Sequence, residues 1–128
     1  MSKVERLNIL LLVKNQELRQ LYHEILVSEG WEIIIADEAT KGLLALVTHQ
    51  INLIIVDAKL GNQESGRFLE IIRRKPEWKK LPVILLDYAD RQDIADIKID
   101  DLRIAAHLDT HLITPNQLVK AVTAAVNG

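Results

Sequence analysis

The chain has 128 residues, 48% of them apolar and 27% charged, with 16 basic against 18 acidic side chains, a net charge of −2 and no cysteine. That length fits one domain whose core needs no staples, so 1–128 is expected to form a single domain and not a two-domain enzyme. The lack of cysteine excludes disulfides, thiolate metal sites and thiol nucleophiles, and the near-balanced charge gives no long-range attraction to polyanions. The start MSKVERLN has no apolar core of a signal peptide, and the longest aliphatic run, 9–13, is far too short to cross a bilayer. A cytoplasmic location is therefore expected, with no membrane contact.

In chain order, apolar runs at 7–13, 31–36, 53–56, 83–86 and 104–108 alternate with amphipathic segments. Solid runs suit strands covered on both faces, and strands alternating with helices suit a parallel sheet. After the first run, Leu18, Leu21, Tyr22, Ile25 and Leu26 fall on one helical stripe, which Gly30 ends. Asp37 is placed to cap a second helix with Ala39, Leu43, Leu46 and Val47 inward. A third helix carries Phe68, Leu69 and Ile72 and stops before Pro76, because the residue preceding proline resists the helical region. The stretch 90–102 is mixed, with Ile97 and Ile99 alternating and Ile94 and Ile97 helical in spacing; it is assigned to a helix. Thr114 and Pro115 read as N-cap and first position of a last helix with Leu118, Val119, Val122 and Val126 inward. The sum is an α/β chain forming a three-layer α/β/α sandwich with right-handed crossovers. In such sheets the working residues lie at the carboxyl ends of the strands, which selects 13–15, Asp57, Asp87 and 109–111.

Four pieces in this order resemble the response-regulator receiver domain of the CheY-like superfamily. LNILLLV with NQELRQLYHEILVSEGWEIIIA is similar to the receiver's first strand, first helix and second strand; LIIVDAKLGNQESG to the third strand ending in the phospho-accepting aspartate; LPVILLD to the fourth strand; and AAHLDTHLITPNQLVKAV to the fifth strand and last helix. The resemblance covers nearly the whole chain. It implies a flavodoxin-like five-stranded parallel sheet of order 2-1-3-4-5.

Receiver chemistry moves a phosphoryl group from a histidine donor to an aspartate carboxylate. In the family, two acids at the end of the first strand join the acceptor in holding Mg²⁺, a hard cation that wants oxygen ligands, while a lysine and a Ser/Thr hydroxyl hold the phosphoryl oxygens. Here Asp57 matches the acceptor. The acidic pair falls on Val13 and Lys14 in the ungapped reading, or on Lys14 and Asn15 with a shift of one, and neither supplies a carboxylate. Asp87 stands at the hydroxyl position, His111 at the lysine position, and Leu108 where a switch aromatic is usual. The resemblance thus implies a degenerate receiver, or pseudo-receiver: no metal site, Mg²⁺ binding lost or weak, no cofactor, and no enzyme activity beyond self-phosphorylation at Asp57. An ammonium about 4 Å from a carboxylate gains about 4 kcal/mol at an effective dielectric of 20, before desolvation is subtracted, so Lys14 is expected to pair with Asp57 in place of the metal. Asp87 and His111 could form a second pair.

Three readings follow. The first is an interaction module that binds a signalling partner: a histidine kinase, a phosphotransfer protein or an output protein. In the family the surface of fourth helix, fifth strand and last helix makes such contacts, so a homodimer through the 90–126 face is one form of it. The second is a working phosphoryl acceptor at Asp57. The third is a pH-responsive domain acting through His111 against Asp87. Among plainer possibilities, Asp57 could be only a cap, Lys14 an exposed strand-end lysine and Asp87 a solvated cap. His107, Asp109 and His111 alternate, but a strand ending near 108 would break a shared metal face. His23 and His49 read as surface side chains. Arg73, Arg74, Lys75, Lys79 and Lys80 around Pro76 and Trp78 suit a solvated helix end; contact with an acidic partner is the alternative, and nucleic acid is not expected. No phosphate-cradling glycine loop or nucleophile elbow is present.

Overall fold

An apolar run without polar alternation is stable only where both faces of the strand are covered. The computed structural model, which describes residues 6–87, 102–111 and 113–127, covers the runs in this way. Five strands, β1 (Asn8–Leu12), β2 (Glu32–Ala36), β3 (Leu53–Asp57), β4 (Val83–Asp87) and β5 (Ala106–Asp109), form one sheet of order β2-β1-β3-β4-β5. Every pairing is parallel. The helices described are α1 (Gln16–Val27), α2 (Ala39–Thr48), α3 (Glu64–Arg74) and α4 (Pro115–Asn127), with a 3-10 turn at Pro76–Trp78. The expected helix over 90–102 lies outside the described residues, apart from Leu102.

The period of two along each strand divides the core into two layers. Ile9, Leu11, Val13, Leu53 and Ile55 pack with Tyr22 and Leu26 of α1 and Leu118 and Val122 of α4. Leu10, Leu12, Ile54 and Val56 point the other way, onto Ala45 and Leu46 of α2 and Phe68, Leu69 and Ile72 of α3. Fully burying one such aliphatic side chain contributes about 1.5–3 kcal/mol. Both outer layers are therefore fastened by the central strands β1, β3 and β4.

Several local signals act as expected. Gly30 takes φ +87 after α1, and Lys75 is extended before Pro76. At the start of α4, the Gln117 N–H donates to Thr114 Oγ1 at 3.2 Å and the Thr114 N–H donates to Gln117 Oε1 at 2.9 Å, a reciprocal capping box. Three expectations are corrected. Leu21 is 50% and Val47 72% exposed, so neither faces the sheet. On α2 the contact arc has rotated onto Gly42, Ala45 and Leu46, because a bare Gly42 lets the helix approach: a β-carbon there would lie 3.1 Å from Phe68 Cε1 and 3.2 Å from a Leu12 methyl. Asp37 does not cap α2; Glu38 holds the cap position without a side-chain bond, and Asp37 reaches one turn forward to Lys41 Nζ at 3.1 Å. Arg73 is not part of a solvated face. Its guanidinium donates to the carbonyls of Leu102, Arg103, Trp78 and Lys79 at 2.7–3.2 Å, which ties the end of α3 to the chain entering β5. Among the described residues, no helix is long and apolar enough to cross a membrane.

Candidate functional site

The carboxyl ends of β1, β3, β4 and β5 meet at one rim of the sheet, and register fixes which residues share it. The β1–β3 pairing ends at Leu12–Val56, so Val13 and Asp57 are next in line. Asp57 stands opposite Leu86, and Asp87 opposite Asp109. Asp57 is the last residue of β3 and only 2% exposed. Its carboxylate Oδ1 accepts the Lys59 N–H at 2.9 Å, and its carbonyl accepts the Ser65 hydroxyl at 2.7 Å. Side chain and backbone thus brace the loop from β3 to α3. That loop includes Gly61, Asn62 and Gln63 in succession at φ +90, +52 and +60. Two of the three are non-glycine residues in the left-handed region, at a cost of about 1–2 kcal/mol each.

Positive charge occupies the β1 side of the rim. Val13 is fully buried in the α1/α4 layer, and Lys14 is exposed. Lys14 Nζ lies 3.7 Å from the point where a β-carbon on Gly61 would sit, so the ammonium stands against the loop that Asp57 braces. Asn15 spends its side-chain oxygen as the α1 N-cap, accepting the Leu18 N–H at 2.9 Å. Arg19 turns back from α1 and donates to the carbonyls of Val13 at 2.9 Å and Lys14 at 3.1 Å. The inner side is closed by Tyr22, which is 3% exposed; burial pushes its phenol up from the ordinary range, and the Asp57 carboxylate adds to the rise.

Across the sheet, Asp87 is 5% exposed and ends β4. His107 of β5 brings Nδ1 within 3.5 Å of Asp87 Oδ2. The two share a face because His107 pairs with Leu85, two residues before Asp87. Leu108 points to the other layer, with Ala106 and the α4 residues. His111 lies past the end of β5, in a turn where its N–H donates to Asp109 Oδ1 at 2.9 Å, so the alternation from His107 does not continue as strand to 111. Among the described residues no three His, Cys, Asp or Glu side chains gather as a metal set.

The structure thus brings Asp57, Val13 and Lys14 to the β1–β3 side of the rim and Asp87 with His107 to its β4–β5 side, with His111 past the end of β5. Arg19, Tyr22, Ser65 and His107 are the site residues that sequence reasoning did not assign. Tyr22 was visible only as one member of an apolar stripe, and His107 only as a member of an alternating trio. A cation one turn after an N-cap was the available signal for Arg19.

No family model matches the chain. Over 131 residues it is 28% identical to the KDP operon transcriptional regulatory protein KdpE of Escherichia coli (strain K12), covering 88% of this chain and 57% of that protein. It therefore spans little more than half the length of that relative. Among solved structures, a sensor protein from Polaromonas sp. JS666 superimposes with a TM-score of 0.85 at 18% identity, over 96% of this chain and 98% of the other. The chemotaxis response regulator CheY4 of Vibrio cholerae gives 0.81 at 16%, over 94% and 99%. A response regulator receiver domain protein from Clostridium thermocellum gives 0.81 at 22%, over 94% of both chains. At these identities the structural likeness is one of fold, and it is the receiver fold, with the strand order that the resemblance implied.

Proposed function

We propose that this CheY-like receiver domain is a pseudo-receiver: a protein-interaction module of a two-component or phosphorelay pathway that works without magnesium-dependent phosphorylation. The observation that carries the reading is the cationic β1 end, where Lys14 stands against the Asp57 loop and Arg19 is bonded to the Val13 and Lys14 carbonyls. Those positions do not fit a Mg²⁺ ion, which takes oxygen ligands in near-octahedral geometry. Val13 has no side-chain oxygen and its carbonyl accepts from Arg19, Lys14 repels a cation, and Asn15 has committed its oxygen to the α1 cap. Of Val13, Lys14, Asn15 and Asp57, Asp57 alone carries a carboxylate.

What remains is a preset rim. Asp57 holds the β3–α3 loop through Lys59 and Ser65, and the fixed charges of Lys14 and Arg19 stand where a receiver gains or loses charge on signalling. A Lys14–Asp57 ion pair closing across Gly61 belongs to this reading. The partner is a histidine kinase, a phosphotransfer protein or an output protein of the same pathway, and the chain contributes a binding surface instead of a reaction.

Incubation with Mg²⁺ and acetyl phosphate, followed by intact-mass measurement, tests the proposal. The expected mass is that of the untreated chain, and stoichiometric gain of one phosphoryl group overturns it. A second reading, transfer to Asp57 from a cognate phosphohistidine partner, draws on the retention of Asp57 at the end of β3. The Asp57→Asn variant separates the two. Signalling that survives supports constitutive binding, and signalling that disappears supports phosphorylation.

A further inference from the structure

Two exposed surfaces of this chain are both apolar and carry opposite charge. The first is the outer stripe of α1, where Glu17, Leu21, Glu24 and Val27 follow at helical spacing. Leu21 is 50% and Val27 44% exposed, and Ile35 of the adjoining edge strand β2 is 53% exposed. Exposed Glu29 extends this face. The arginine of α1, Arg19, is turned to the Val13 and Lys14 carbonyls, which leaves the stripe acidic.

The second surface is the groove between α2 and α3, floored by Leu43, Leu46, Val47, Ile71 and Trp78. Val47 is 72% and Ile71 37% exposed, and Leu44 beside them is 62% exposed. Lys75 and Glu77 both line it, and the exposed Arg74, Lys79 and Lys80 that follow nearby outnumber the remaining acid Glu70, so this end is net basic. Arg73 is committed to backbone carbonyls, so the four outer cations carry the basic character of this end. An apolar groove with a basic rim takes an apolar helix stripe with acidic neighbours, and contiguous exposed apolar patches mark such contacts.

We infer that the chain binds a second copy of itself, with the acidic α1 stripe of one copy seated in the basic-rimmed α2–α3 groove of the next. Both surfaces adjoin the β2 edge, α1 on one side of the sheet and α2 on the other. The contact joins unlike patches, so it either closes into a ring or adds copies end to end. It leaves the rim around Asp57 free for a signalling partner.

Sedimentation velocity of the full chain over a concentration series, at low and high salt, tests this. At low salt the sedimentation coefficient is expected to rise with concentration, and high salt is expected to return it to the monomer value. Val47→Glu and Glu24→Lys, both at exposed positions, are each expected to weaken association about tenfold or more while leaving the circular dichroism spectrum unchanged. Mixing Glu24→Lys chains with Lys75→Glu chains is expected to restore it. A chain that stays monomeric throughout overturns the inference. So does association that ignores salt and both variants, which would place the contact on another face, and so does a Lys75-dependent shift of DNA or RNA by a chain that does not self-associate.

Discussion

Tyr22 lies on the inner side of Asp57, and the pair makes the rim's electrostatics measurable. The phenol is raised first by burial and then by the carboxylate. A group whose folded pKa is raised above its unfolded value contributes stability that is intact below the unfolded value, about 10 for tyrosine, and is lost as pH climbs through the folded one. Alkaline unfolding of the native chain is therefore expected to be steeper than that of Tyr22→Phe, as measured by urea denaturation on either side of that pH. In the absorbance titration of tyrosinate, Asp57→Asn is expected to bring the Tyr22 signal only partway back, since burial is the larger cause. A Tyr22 signal unmoved by Asp57→Asn would show that the carboxylate does not act on the phenol. At this scale the sequence was readable where the signal was a residue type at a fixed register. Asp57 and the loss of carboxylates at 13–15 were readable in that way. Tyr22, Arg19 and His107 were not, because their roles come from which strand end each helix or neighbouring strand passes, and spacing along the chain carries no such information.

Arg73 sets the behaviour of whole elements. One guanidinium satisfies carbonyls from the 3-10 turn and from the chain entering β5, and burial lowers its pKa without approaching neutrality at physiological pH. Arg73→Met keeps much of the stem but leaves the part-buried carbonyls of Leu102 and Trp78 without their donor, at a cost of about 1–2 kcal/mol each. A loss of about 2–4 kcal/mol in urea denaturation is expected, with faster amide exchange at 102–105. Arg73→Lys is expected to recover only part, because an ammonium lacks the planar fork. The stop of α3 at proline and the capping box of α4 were legible because each is written in adjacent residues. The rotation of α2 was not, since it depends on the close approach of Gly42 to Phe68 and Leu12, which are distant in sequence.

For the whole molecule, the sheet acts as a partition. Leu26 belongs to the α1/α4 layer and Ile72 to the α2/α3 layer, and both are fully buried. Leu26→Ala and Ile72→Ala are each expected to cost about 2–5 kcal/mol, and the double variant to cost their sum within about 0.5 kcal/mol. A larger coupling in chemical denaturation would mean that the two layers transmit strain through the strands. Layering was the most legible feature, because solid apolar runs alternating with amphipathic helices call for a covered parallel sheet with right-handed crossovers, while the strand order came only from the receiver resemblance. The outward faces were the least legible. Leu21 and Val47 carry helical periodicity like any core residue, and only the packed arc shows that they are left over.

The edge position of β2 has one more consequence, which concerns folding in time. Parallel strands are joined by long crossovers, so their pairing waits on contacts distant in sequence and is slow. During that wait the segment Glu32–Ala36, with three consecutive isoleucines, is a ready template for pairing with another unfinished chain. Its shortness and the charge of Glu32 at its start are the guards the sequence supplies against that outcome. A carboxylate that contributes little to the finished fold thereby protects the yield of folded protein.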